Sequence, residues 1–294
     1  MPELPEVEAY IGALRPRIEG EVLRGVRVRS FPLLKTYDPP LTEAHGRRVH
    51  GIRRMGKRIV LELEDDLYLV VHLMVAGRLH WRDPRAVVPK KHGLAAFDFD
   101  DGTLLLTEAG TKRRASLHLV RGSEALAALD PGGIEVADAT LGEFRTALLA
   151  ERHTLKRALT DARFISGIGG AFADEILHAA RLSPLQLNTN LSDEEIARLH
   201  EAARDTLEHW VEVLREQTGD AFPGKVTAFH PSMAVHGKHG QPCPVCGATV
   251  QRIVYAERET NYCPGCQTGG RILADRSLSR LLKDAFPRRL DDLE

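Results

Sequence analysis

The chain has 294 residues, 43% hydrophobic and 28% charged, which is enough apolar material for a core and a length that suggests two domains. Forty Lys and Arg against 41 Asp and Glu leave a formal charge of −1, which argues against binding nucleic acid through bulk positive charge. The longest apolar run, residues 67–77, is broken by His72 and too short for a bilayer, and Met1-Pro2-Glu3-Leu4-Pro5-Glu6 lacks the basic and apolar regions of a signal peptide. A soluble, cytoplasmic monomer is expected.

Leu4, Val7, Ile11, Leu14 and Ile18 recur at helical spacing, with Pro5 near the first helical position. Strand-like runs follow at 22–28, 58–63, 67–73, 94–99 and 103–107, the last two joined by the turn Asp100-Asp101-Gly102. This half reads as an antiparallel β-sandwich flanked by helices, and the chain as a whole as α+β. From about residue 124 the pattern becomes helical, over 123–129, 141–150, 155–162, 171–180 and 192–217. Ser192-Asp193-Glu194-Glu195 is a capping box. Between two of these helices lies Ile165-Ser166-Gly167-Ile168-Gly169-Gly170, whose glycines let backbone N–H groups approach an anion.

All four cysteines, Cys243, Cys246, Cys263 and Cys266, fall in a C-x2-C-x16-C-x2-C pattern with turn-forming Pro and Gly around each pair. That spacing suits four thiolates on one tetrahedral zinc, a closed and therefore structural site, although two disulfides would satisfy the same count. Residues 249–255 and 260–262 read as a hairpin between the knuckles. After Cys266, Leu278, Leu281, Leu282 and Phe286 form a helical stripe that would pack on the body or bind a partner. The expected domains are 1–123, 124–224, the ribbon 225–270 and a tail 271–294.

Charge is unevenly placed. Residues 15–58 hold twelve basic residues against four acids, whereas 193–220 hold nine acids against three Arg. The acidic run reads as a solvated helix face, and the basic strands as a candidate for phosphate contacts.

Pro2 follows the initiator Met, a context in which the Met is normally removed to leave a secondary amine. An α-amino group with a pKa of about 8 is roughly a tenth neutral at pH 7, enough to attack an aldehyde-level carbon and form an iminium. Glu3 and Glu6, three residues apart, would stand beside it and transfer protons. An ordinary helix start with dipole-favoured acids accounts for the same residues.

The octapeptide Met1-Pro2-Glu3-Leu4-Pro5-Glu6-Val7-Glu8 resembles the N-terminal signature of the formamidopyrimidine-DNA glycosylase and endonuclease VIII family. The resemblance continues in order through Arg54-Met55-Gly56-Lys57, His72-Leu73, the glycine turn with 171–177, residues 235–243 and the cysteines, to about residue 267. It implies a helical helix–two-turn–helix domain with a four-cysteine zinc ribbon, one structural Zn2+, and damaged DNA, double- or single-stranded, as partner. It further implies a glycosylase and AP lyase of base excision repair: Pro2 attacks C1′ of a flipped nucleotide, and elimination at the 3′ and then 5′ phosphate cuts the strand. Glu3 matches the acid/base at ring opening, Glu6 an active-site carboxylate, Lys57 a hairpin lysine near phosphate and the reacting end, and Arg258 a zinc-finger arginine gripping phosphates.

Three departures from the family pattern stand out. Gly169-Gly170 offers only backbone donors where the family has an Asn before the helix, at Gly170. His72-Leu73-Met74-Val75 puts Val in the slot of a gap-filling Met, with Met74 beside it. Glu108-Ala109-Gly110-Thr111-Lys112-Arg113-Arg114 replaces a loop carrying an Arg and a Phe wedge, so that Lys112, Arg113 and Arg114 are the candidate DNA contacts there. Altered lesion or duplex preference follows. A non-catalytic damaged-DNA-binding protein and a zinc-ribbon adaptor are the competing readings, the second leaving Pro2, Glu3 and Lys57 unexplained.

Overall fold

The computed structural model describes residues 1–110, 112–224, 226–227, 229–255, 258–273 and 288–290, with only the backbone of 255 and 258. The expected helical stripe at 278–286 lies outside the described residues. The chain divides into two compact units, residues 1–131 with 210–228, and 132–209 with 229–294.

The first unit opens with α1 (Leu4–Ile18), followed by β1 (Val22–Leu23), β2 (Gly25–Val28), β3 (Arg47–Met55), β4 (Arg58–Leu63), β5 (Leu67–His72), β6 (Gly77–Arg82), β7 (Gly93–Asp98), β8 (Thr103–Glu108), β9 (Ser116–Arg121) and α2 (Ser123–Ala127). The strands form two antiparallel sheets, ordered β1-β3-β4-β5-β9 and β2-β7-β8-β6. Period-two alternation separates their faces. Ile59, Leu61 and Leu63 of β4 point into the core shared with Phe97, Leu104 and Leu106 of the other sheet and with Val7, Ile11 and Leu14 of α1. Val60 and Val70 point the other way, onto Leu126 of α2. Residues 210–228 return to this unit, where Phe222 packs on Tyr10 with ring centroids 5.8 Å apart.

Strand β3 is absent from the sequence reading for a physical reason. A bulge between Val49 and Gly51 puts Val49 and Ile52, three residues apart, on the same buried face, so the period-two signal is lost among four arginines. Gly51 sits where a Cβ would lie 2.9 Å from the Glu62 carboxylate. Strand pairing also corrects the picture of a basic face. Arg24 pairs with Asp100, Arg27 with Asp98, Arg47 with Asp65, Arg53 with Glu62 and Arg54 with Glu8, all acids from outside 15–58. Five of the twelve basic residues thus have acidic partners on α1, β4, β7 and the turns beside those strands.

The second unit contains α3 (Leu141–Leu149), α4 (Leu155–Thr160), α5 (Gly170–Ala179), the first part of α6 (Asp193–Thr218), the hairpin β10 (Gln251–Tyr255) and β11 (Arg258–Tyr262), and α7 (Pro264–Thr268). The capping box read at the start of α6 forms: Glu195 accepts from Ser192 N at 2.9 Å and donates its own N–H to Ser192 Oγ at 3.2 Å. Phe144, Leu155, Leu159, Ile165, Phe172, Ile176 and Leu199 are buried here. Among the described residues no helix is long and apolar enough to cross a membrane.

Candidate active site and nucleic-acid interface

The amino end of the first unit is walled in. Pro2 is buried, and Glu3 and Glu6 are each 2% exposed. Glu3 is the N-cap of α1 and donates its backbone N–H to Glu6 Oε2 at 2.8 Å, closing a reciprocal capping box at the helix start. Burial and then the charge of Glu3 push the Glu6 carboxyl up to about 7. Burial also holds the α-amine of Met1, the residue before Pro2, below its ordinary value, with Glu3 opposing and Arg78 reinforcing that shift. An amine whose charged form burial disfavours, beside a carboxyl that titrates near neutrality, suits nucleophilic attack and proton transfer.

Lys57 reaches this place on the hairpin between β3 and β4. Met55 pairs with Arg58, leaving Gly56-Lys57 as a two-residue turn. Gly56 at φ 59 supplies the left-handed first position that such a turn requires. Arg54 fixes the turn, donating to Gly56 O at 3.1 Å and pairing with Glu8 Oε1 of α1 at 2.8 Å. Burial pulls the Lys57 amine down, against the opposing pull of Glu3 and Glu6. Across the next strand His72 pairs in register with Arg58. Burial, then Arg58 and Lys57, lower its pKa to about 4, so it is a neutral imidazole at pH 7, not a phosphate-binding cation. The structure therefore gathers Pro2, Glu3, Glu6 and Lys57, and adds Glu8, Arg54 and Arg78, to which the sequence reading gave no separate role. Glu8, third acid of the octapeptide, was the available signal.

Two loops stand at the same strand ends. In the first, Gly77 N donates to Leu73 O at 2.9 Å, a turn so tight that a Cβ at Gly77 would lie 2.2 Å from that oxygen. Met74 adopts φ 51 and is half-buried, whereas Val75 is 55% exposed, so the protruding apolar residue is Val75. In the second, Glu108, 1% exposed, accepts from the backbone N–H groups of Arg114 and Ala115 at 3.0–3.1 Å. Arg113 Nη2 donates to Lys91 O at 2.6 Å, and Glu108 N to His92 O at 2.8 Å. The buried carboxylate shapes a loop whose Lys112, Arg113 and Arg114 side chains are exposed.

In the second unit the glycine turn is strapped from behind: Ile134 N donates to Phe164 O at 2.9 Å and Ser166 N to Ile134 O at 2.8 Å. Gly169 is the N-cap of α5, and Gly170 is exposed with nothing within 4 Å of where a Cβ would lie. The missing side-chain donor is not imposed by packing. Helix α5 also holds the ribbon, through two buried carboxylates that sequence reasoning passed over. Asp174 accepts from Lys156 Nζ at 2.6 Å, His236 Nδ1 at 2.9 Å and Asn261 N at 3.1 Å. Glu175 accepts from the backbone N–H groups of Ala234, Val235 and His236 at 2.7–2.9 Å. The Arg258 side chain lies outside the described residues; its backbone pairs with Tyr255 at the turn end of the hairpin.

The four cysteines converge below that hairpin. Cys243 Sγ is 3.9 Å from Cys266 Sγ, and Cys246 Sγ is 3.3 Å from Cys263 Sγ. Four ligands at about 2.3 Å from a tetrahedral zinc would have sulfurs about 3.8 Å apart, so the set fits the ion after small adjustment. The distances are those of close sulfur contacts, not S–S bonds, and the disulfide alternative is not realised. Gly265 makes room for the cluster, because a Cβ there would fall 2.9 Å from Cys246 Sγ. The four cysteines are the donor set for one structural zinc in the region matched by the zinc-finger model.

A sheet-rich unit with a proline-led amino end, a glycine turn before a helix, and a thiolate zinc ribbon together define a DNA glycosylase architecture. Family models match in order: the formamidopyrimidine-DNA glycosylase N-terminal domain over residues 1–114, its H2TH domain over 129–221, and a zinc finger found in FPG and IleRS over 240–269. The formamidopyrimidine-DNA glycosylase of Thermus thermophilus is 36% identical over 92% of this chain and 100% of its own length. That of Heliobacterium modesticaldum is 35% identical over 91% and 100%. The Lactococcus lactis Fpg solved with abasic-site DNA superposes with TM-score 0.80 at 26% identity, covering 90% of this chain and 99% of that one. The chain belongs to the formamidopyrimidine-DNA glycosylase family.

Proposed function

We propose that this chain is a bifunctional DNA glycosylase and AP lyase whose nucleophile is the Pro2 amine, freed by removal of Met1. The observation that carries the reading is the convergence of Glu3, Glu6 and Lys57 on the amino terminus, where Pro2 is buried. The amine attacks C1′ of an extruded nucleotide, forming the N–C1′ bond as the bond from C1′ to the base breaks and the base leaves with a proton. Glu3 donates a proton to the sugar oxygen on ring opening, leaving an iminium. Loss of a C2′ proton expels the 3′ phosphate, and a second elimination expels the 5′ phosphate. The carboxyl of Glu6, titrating near 7, and the Lys57 amine are the groups placed to carry those protons and to meet the phosphate.

Lesion choice differs from that of a standard 8-oxoguanine enzyme in this reading. Exposed Val75 fills less of a duplex gap than Met, and a cationic loop offers phosphate contacts where an aromatic wedge would probe stacking. A substrate with little stacking around the lesion, such as single-stranded DNA or a bulky adduct, suits such a surface. Borohydride trapping on abasic DNA tests the chemistry: a covalent adduct is expected from protein with a verified Pro2 terminus and none from Pro2→Gly. No adduct from the verified protein overturns the lyase. Excision from a panel of lesions in single and double strands tests the preference; efficient 8-oxoguanine removal confined to pairing with cytosine overturns it.

A further inference from the structure

We propose that His178 is a reserve ligand of the zinc site, completing a Cys3His set with Cys243, Cys263 and Cys266 when Cys246 is lost. Its Nε2 lies 3.3 Å from Cys243 Sγ, and the four ligand atoms of this set all lie within 4.8 Å of one another. A nitrogen and a sulfur on one tetrahedral zinc are about 3.5 Å apart, so the imidazole already stands at ligand distance from one sulfur. His178 is 6% exposed, in the last turn of α5. The helix is fixed to the ribbon by Asp174 and Glu175 one turn earlier, which prevents the ring from drifting away. A helix face packed against a thiolate cluster needs only an apolar side chain; an imidazole with a nitrogen on sulfur brings a metal-binding donor.

Cys246 is the ligand that needs a substitute. Cys243 and Cys263 are buried and Cys266 half-buried, but Cys246 is exposed, beside Val245 at 62% exposure. Exposure makes it the sulfur that electrophiles and oxidants in solution reach first. With four thiolates bound, His178 sits against Cys243 as an outer contact that orients the sulfur. Exchange breaks the bond from the metal to Cys246 Sγ and forms one to His178 Nε2. The imidazole binds neutral, through the Nε2 lone pair with its proton on Nδ1, and the released thiolate takes a proton from solvent, so no oxidant or reductant enters. The site keeps four protein ligands and carries one negative charge fewer.

Full-length protein reconstituted with Co2+ alone tests the assignment. Cys246→Ala is expected to bind one Co2+ tetrahedrally, with sulfur-to-cobalt charge-transfer absorbance at about three quarters of the unsubstituted protein's, one thiolate in four being gone. Adding His178→Phe to that variant is expected to weaken Co2+ at least tenfold and abolish the tetrahedral band. His178→Phe alone should keep the four-thiolate spectrum, which shows that the fold tolerates the change. Equal Co2+ affinity of Cys246→Ala with and without His178 would overturn the proposal. So would loss of metal from His178→Phe alone, or failure of Cys246→Ala to bind.

Discussion

The two units each bury a pair of acids on a helix, with opposite consequences. Glu3 and Glu6 at the start of α1 face one another and an amine, and burial and mutual repulsion leave Glu6 titrating near 7. Asp174 and Glu175 on α5 are equally buried, yet each accepts three hydrogen bonds, from a lysine, a histidine and backbone N–H groups. A buried carboxylate gripped by a lysine, a histidine or several N–H groups is a clamp; one raised by burial and a neighbouring carboxylate is a proton carrier. The two pairs differ in what faces each carboxylate, a second carboxylate in one and cationic or N–H donors in the other.

Substitutions should separate those roles. Glu3→Gln is expected to lower the single-turnover rate of base release by about 10²–10⁴-fold, the usual worth of a positioned acid/base, with little change in melting temperature. A large loss of stability would move Glu3 to the clamp class. Glu175→Ala should do the reverse, destabilising the protein by about 3 kcal/mol because three buried N–H groups lose their acceptor, as measured by denaturant unfolding. An unfolding midpoint unchanged from the parent would remove it from that class.

The pH dependence of Glu6 has a fixed sign. Its carboxyl is raised in the folded state, so the folded protein binds more protons between the ordinary value and about 7, and stability falls as pH rises through that window. Glu6→Gln should flatten this decline and remove the limb near pH 7 from the rate profile; a limb that persists belongs to another group. Two smaller effects concern DNA. Lys112→Ala with Arg113→Ala and Arg114→Ala should reduce the slope of log binding constant against log salt by about 2 to 3 on a duplex, and an unchanged slope would place the loop off the phosphates. Gly170→Asn, entering open space, should tighten binding by about three- to tenfold, the worth of one hydrogen bond to a charged phosphate. Weaker binding would show that the bare backbone of this turn is itself the better ligand.

Much of this was written locally. The octapeptide, the four cysteines, the glycine turn and the box at Ser192 each depend on residues close in sequence, because knuckles, caps and tight turns are closed by neighbours a few positions away. Their places in the fold follow the reading closely: the strand read at 58–63 is β4, and the helix read at 171–180 is α5 within one residue at each end. What failed locally failed where long-range pairing rules. The bulge at Val49–Gly51 hid β3, and acids from β4, β7 and the turns beside them neutralise arginines that looked like a phosphate surface.

The sequence by itself determined that an N-terminal proline with two acids, a helical segment with a glycine turn and a four-thiolate ribbon share one chain. Only the tertiary structure decided which charges act. It buried His72 until it is neutral, set Glu6 near 7, locked Lys57 through Arg54 and Glu8, and brought His178 to the sulfur of Cys243 across 65 positions of sequence. Ionisation and ligation depend on desolvation and on partners within a few ångströms, and both are properties of packing that no spacing in the sequence encodes.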